Sequence, residues 1–111
     1  MITVTEEVLS KMVEAIVKEV DPEGIYLFGS RARGEGKPES DADLLIVERE
    51  PFGNTRGRFQ EINRIYDLLS SFRIPTDILV YSTDEFDKWR RSPNHVIGRC
   101  QREGRLLYAR H

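Results

Sequence analysis

Between Ile25 and Val47 the chain takes strand-forming residues into a Gly29-Ser30 pair, spends ten residues on a polar segment, and then sets Asp41 and Asp43 at the head of the apolar run Leu44-Leu-Ile-Val47. Side chains two apart on a strand project from the same face, so the two carboxylates stand close together. Like charges held there repel unless a cation neutralises them. The run after them is apolar at both inward and outward positions, as expected of a central strand covered on two faces. A fold built on this stretch must therefore layer helices on both sides of a sheet and leave one sheet end polar.

The flanking pattern supplies those helices. Leu9, Met12, Val13, Ile16, Val17 and Val20 recur at helical spacing, which predicts an amphipathic helix over residues 5–20 with Thr5 as N-cap and Asp21-Pro22 as its stop. Ile25 to Phe28 reads as the first strand, residues from Ser30 as a short helical turn running into the loop 34–40, and Ala42 to Val47 as the second strand. Phe59, Ile62, Ile65, Tyr66, Leu69 and Phe72 mark a further helix that ends before Pro75, and Thr76 to Tyr81 a third strand. A connection that long with a helix inside it predicts a parallel crossover between the second and third strands. Thr83 is expected to cap a short helix over 84–91, Pro93 to start another that ends at Gly104, and Leu106 to Tyr108 to add an edge strand. The expected fold class is α/β, in the looser sense α+β: a small mixed sheet of three to four strands with helices packed on it.

With 111 residues, the chain is expected to form a single domain over 1–111. Its start lacks the basic region and apolar run of a secretory signal, and no apolar run reaches spanning length, so a cytoplasmic protein without a membrane partner is expected. Cys100 has no second cysteine to pair with and reads as a small helix-face residue. Charge is uneven: residues 1–24 carry six acids against two lysines, whereas Lys88 to the end carries seven bases against Glu103. That asymmetry suits either a solvated basic face or contact with an acidic partner. Trp89 and the four tyrosines are expected to pack into the core, and His95 to lie on the surface.

Oxygen ligands alone select a hard cation, Mg²⁺ or Mn²⁺. Asp77 precedes the apolar run Ile78-Leu-Val80, so pairing of the second and third strands would bring it beside Asp41 and Asp43 as a three-carboxylate cluster for two metal ions. Gly29 can take backbone angles closed to other residues, and Ser30 stands where a strand meets a helical start, a place that attracts phosphate. Arg31 and Arg33 can add charge-assisted contacts to phosphate oxygens. Taken singly, each piece has an ordinary meaning as a turn, a cap or a solvated arginine; it is their conjunction that points to phosphoryl chemistry.

Phe28-Gly-Ser-Arg-Ala-Arg-Gly34 and Ser40-Asp-Ala-Asp-Leu-Leu-Ile-Val47, with Asp77 opening a later strand, resemble the nucleotidyltransferase pattern of the DNA polymerase beta superfamily, in wording nearest to the minimal nucleotidyltransferases of bacteria and archaea. The resemblance implies the nucleotidyltransferase fold. It implies that Gly29 and Ser30 hold nucleotide phosphates, that Asp41, Asp43 and Asp77 bind Mg²⁺, and that Asp77 can also serve as base. It further implies ATP as substrate, and a HEPN-domain ribonuclease toxin as a partner that the chain neutralises as an antitoxin, by transferring AMP to a tyrosine. Direct nucleic-acid binding is not expected. Two other roles fit the same residues: a binding module that blocks its partner by occlusion, and nucleotidyl transfer to a small molecule. A chain this short leaves little room to hold an acceptor of its own, which favours a separate macromolecule met by the basic C-terminal part or by the Arg49–Arg58 loop.

Overall fold

A computed structural model describes residues 4–32, 34 and 41–110. Helix α1 (Glu6–Val20) leads into strand β1 (Gly24–Phe28), the single turn α2 (Gly29–Ala32) and strand β2 (Ala42–Glu48). Helix α3 (Arg58–Leu69) runs on through a 3₁₀ turn at Ser70–Phe72 to strand β3 (Thr76–Ser82), followed by α4 (Thr83–Trp89), α5 (Val96–Glu103) and β4 (Arg105–Ala109). The strands form one mixed sheet in the order β3-β2-β1-β4, with β2 parallel to β3 and β1 antiparallel to both β2 and β4. This is the mixed sheet read from the sequence, with the long connection making the parallel pair and β4 at an edge.

Pleating sorts the residues onto two faces. Leu44 and Ile46 of β2, Ile25 and Leu27 of β1, and Ile78 and Val80 of β3 join Leu9, Met12 and Ile16 of α1 and Ile65 and Leu69 of α3 in one core. Leu45 and Val47 join Phe86, Ile97 and Cys100 from α4 and α5 in the other. The continuous apolar run of β2 is thus buried from both sides, and Asp43, in step with Leu45 and Val47, faces the α4–α5 side.

Local signals explain the element ends. The Thr5 hydroxyl accepts the Val8 amide at 3.1 Å, and Asp21 leaves α1 in the left-handed region (φ 51) before Pro22. Two starts differ from expectation. Helix α4 is capped by Ser82, not Thr83, because Ser82-x-x-Glu85 forms a reciprocal capping box: Ser82 Oγ accepts the Glu85 amide at 3.2 Å and Glu85 accepts the Ser82 amide at 2.9 Å. Helix α5 begins at Val96 rather than near Pro93, because His95 Nδ1 caps it by accepting the Ile97 amide at 3.1 Å. Trp89 is not a core residue either: it remains 36% exposed and stacks on the half-buried His95 at 4.7 Å between ring centroids. The edge of β3 is closed by side chains, since the Tyr66 hydroxyl accepts the Ile78 amide and Arg58 donates to the Val80 carbonyl.

Part of the uneven charge meets itself. Arg105 makes two hydrogen bonds to Glu6, at 2.7 and 2.8 Å, and Arg110 reaches Asp21 at 2.9 Å, tying the basic C-terminal strand to the acidic helix α1. In the loop before α3, Arg49 pairs with Asp21 and Glu23, Arg56 with Glu48, Glu50 and Glu61, and Arg58 with Glu85. These three arginines, expected as a surface for a partner, are engaged within the chain. No helix among the described residues is long and apolar enough to cross a membrane.

Candidate active site

The end of β1 and the starts of β2 and β3 meet at one end of the sheet. In the parallel ladder Asp43 lies directly opposite Asp77, and in the antiparallel ladder it lies opposite Phe28, the last residue before Gly29. Neighbouring strands run about 4.8 Å apart, so Asp43 and Asp77 stand side by side on the α4–α5 face. Asp43 is half-buried, while Asp41 and Asp77 are exposed at the heads of their strands. Burial, then a hydrogen bond to Asp77 and the charges of Asp77 and Asp41, push the Asp43 carboxyl up to about 6, with Arg31 pulling the other way.

Gly29 fixes where that carboxylate sits. Its φ is +76, a region that side chains make costly, and a Cβ placed on it would lie 2.2 Å from Asp43 Oδ2. The Asp43 carboxylate therefore occupies the space that glycine leaves, and the Gly29-Ser30 turn is packed against the acidic pair. A phosphate chain on the turn would thus lie next to the carboxylates.

The described residues among those singled out from the sequence fall as follows. Asp43, Asp77 and Gly29 come together. Asp41, exposed at the head of β2, acts on Asp43 through its charge, and among the described residues no three acidic, histidine or cysteine side chains converge as a closed metal cage. The Arg31 guanidinium donates to the Val4 carbonyl at 3.4 Å and also acts on the charges of Asp43 and Glu6. Ser30 lies in α2; its side chain, Arg33 and the segment 35–40 lie outside the described residues. The donor set fits a hard divalent cation: oxygen ligands only, two of them paired across a ladder, with repulsion between them that a cation would relieve.

The family model for the nucleotidyltransferase domain matches residues 9–102. The chain belongs to that nucleotidyltransferase domain family. The matched span takes in Gly29, Asp41, Asp43 and Asp77. Solved structures share the fold. A Sulfolobus solfataricus protein assigned as a nucleotidyltransferase superposes with a TM-score of 0.62 at 24% identity, covering 94% of this chain and 79% of that one. A toxin–antitoxin complex, MntA-HepT, gives 0.57 at 18% identity over 96% and 74%. The complex of a tri-AMPylated Shewanella oneidensis HEPN toxin with its MNT antitoxin gives 0.56 at 18% identity over 95% and 72%. No curated protein matches the sequence.

Two sets of residues were not found by reading motifs. Val96, Arg99, Cys100 and Glu103 line a pocket with Phe28 and Gly29 of the quoted motif; the only signal of these four was their helical spacing. At the opposite end of β2, Glu48 and Glu61 are both buried beside the half-buried Arg56, where the sequence showed only a polar loop. A larger depression of about 510 Å³ opens beside Glu48, a full strand length from the carboxylates.

Proposed function

We propose that this nucleotidyltransferase moves AMP from ATP, with Mg²⁺, onto a hydroxyl of a separate protein, and that it acts as the antitoxin of a HEPN-domain toxin. The observation that carries the reading is Asp43 set opposite Asp77 with the Gly29 turn packed on its carboxylate. The toxin–antitoxin complexes with the same fold, one with an AMPylated toxin, support the choice of acceptor.

In the reaction the acceptor oxygen bonds to the α-phosphorus, the bond from that phosphorus to the oxygen bridging to the β-phosphate breaks, and pyrophosphate leaves. The Gly29-Ser30 turn holds the phosphate chain. Asp43, fixed by β1 and β3, and Asp41 and Asp77, open to solvent, are the residues that would hold Mg²⁺. Bound there, the metal supplies charge neutralisation on the phosphates and acidifies the attacking hydroxyl. Asp77, exposed at its strand head, is also placed to accept the hydroxyl proton.

A second reading, occlusion of the toxin without transfer, draws on the openness of Asp41, which leaves the acidic set unclosed. One experiment separates the two. The chain is coexpressed with a HEPN-domain toxin, and the intact mass of that toxin is measured. Transfer predicts added AMP masses that vanish with Asp43→Asn; an unmodified but inactive partner supports occlusion.

A further inference from the structure

Gly29 belongs to two places at once. It abuts the Asp43 carboxylate, and it also lines a pocket of about 290 Å³ between the end of β1 and helix α5. Val96, Arg99, Cys100 and Glu103 are spaced three, four and seven residues along α5, so they form one stripe that faces this pocket. The buried Cys100 and the half-buried Phe28 and Val96 make an apolar floor, and the exposed Arg99 and Glu103 make a polar rim. Burial pushes the Cys100 thiol up to about 11, so the floor carries a neutral S–H at working pH. Among the described residues none pairs with the Arg99 guanidinium.

The size and chemistry select the occupant. Ligand pockets start at roughly 300 Å³, so this one takes a single compact group, not a whole nucleoside triphosphate. An apolar floor with a donor and an acceptor at the rim suits a planar heteroaromatic ring, whereas a phosphate reaching Arg99 would lie against Phe28 and Val96 and beside the Glu103 carboxylate, which repels it. We propose that this pocket seats the base of the nucleotide whose phosphates lie on the Gly29-Ser30 turn, with Arg99 and Glu103 at the base's polar edge. The inference rests on the nucleotide-transfer reading above and adds to it the part of the chain that recognises the nucleoside.

The test compares ATP with inorganic tripolyphosphate, which shares the phosphates and lacks the base, by calorimetric titration in Mg²⁺. The wild-type chain is expected to bind ATP at least about tenfold more tightly than tripolyphosphate. Val96→Phe, which fills the floor, should bring the two affinities to within about threefold while leaving that for tripolyphosphate unchanged. Arg99→Ala, at an exposed position that leaves packing intact, should weaken ATP by about fivefold and tripolyphosphate not at all. Thermal melts confirm that both variants fold. An ATP preference that survives both substitutions, or a wild type with no preference for ATP over tripolyphosphate, overturns the proposal. A wild type that binds neither ligand overturns the nucleotide-transfer reading itself, and the pocket assignment with it.

Discussion

Gly29 and Asp43 share one space: the carboxylate Oδ2 lies 2.2 Å from where a Cβ on Gly29 would stand. Gly29→Ala therefore does two kinds of harm. The left-handed backbone costs roughly 1–2 kcal/mol for a residue with a Cβ, and the methyl group displaces the carboxylate set opposite Asp77. The variant should melt about 5 °C or more below the wild type and lose AMP transfer to the partner protein. Retained transfer would show that the placement of Asp43 against this turn is immaterial.

Asp43 is expected to trade stability for a cation. Its carboxyl is raised to about 6 in the folded chain from 3.8, so ionisation at pH 8 works against folding as long as nothing neutralises it. Without divalent ions at pH 8, Asp43→Asn should melt at or above the wild-type temperature. Addition of Mg²⁺ should raise the wild-type melting temperature by ligand linkage and leave the variant unmoved. Equal shifts in both proteins would mean that the cation is held elsewhere.

The meeting of Asp43, Asp77 and Gly29 could be read in the sequence because these residues sit at fixed positions in or beside strands. Pleating put Asp43 on a defined face, and the helix-containing connection made β3 the parallel neighbour that brings Asp77 opposite. What could not be read depended on competition among several suitable residues or on contacts between distant ones. Ser82 and Thr83 are both plausible caps for α4, and the reciprocal bonding between Ser82 and Glu85 decides for Ser82. The basic C-terminal part looked like a partner surface until β4, lying beside β1, carried Arg105 to Glu6 and Arg110 to Asp21. The proximity of α5 to Gly29 likewise follows from packing and has no signature along the chain.

The capping box offers a local test. Removing a cap hydroxyl costs about 1 kcal/mol, and Ser82 is itself buried at the end of β3. Ser82→Ala should lower the melting temperature by about 4 °C, whereas Thr83→Ala, inside the helix, should change it little. A larger loss for Thr83→Ala would return the cap to that residue.

At the far end of β2, Glu48 and Glu61 form a buried acidic pair whose proton sharing is open to titration. Glu48 Oε1 accepts from Arg56 at 2.7 Å, while its buried Oε2 accepts no hydrogen bond. A proton on Oε2, donated to Glu61, would satisfy that atom. Burial first, then the bond to Glu61 and its charge, push Glu48 up to about 8, whereas Arg64, bonded to Glu61 at 3.1 Å, and Arg56 help to hold Glu61 below the usual carboxylate range. The folded chain thus keeps on Glu48 a proton that the unfolded chain releases near 4.5. The stability this contributes is complete below that pH and is lost as pH rises through about 8. Glu48→Gln keeps a donor facing Glu61 but cannot ionise. The melting temperature of the wild type should therefore fall relative to the variant between pH 6 and pH 9, with the two closest at the acidic end. Parallel pH profiles would show that Glu48 is already ionised in the fold, with Arg56 carrying the whole of its compensation.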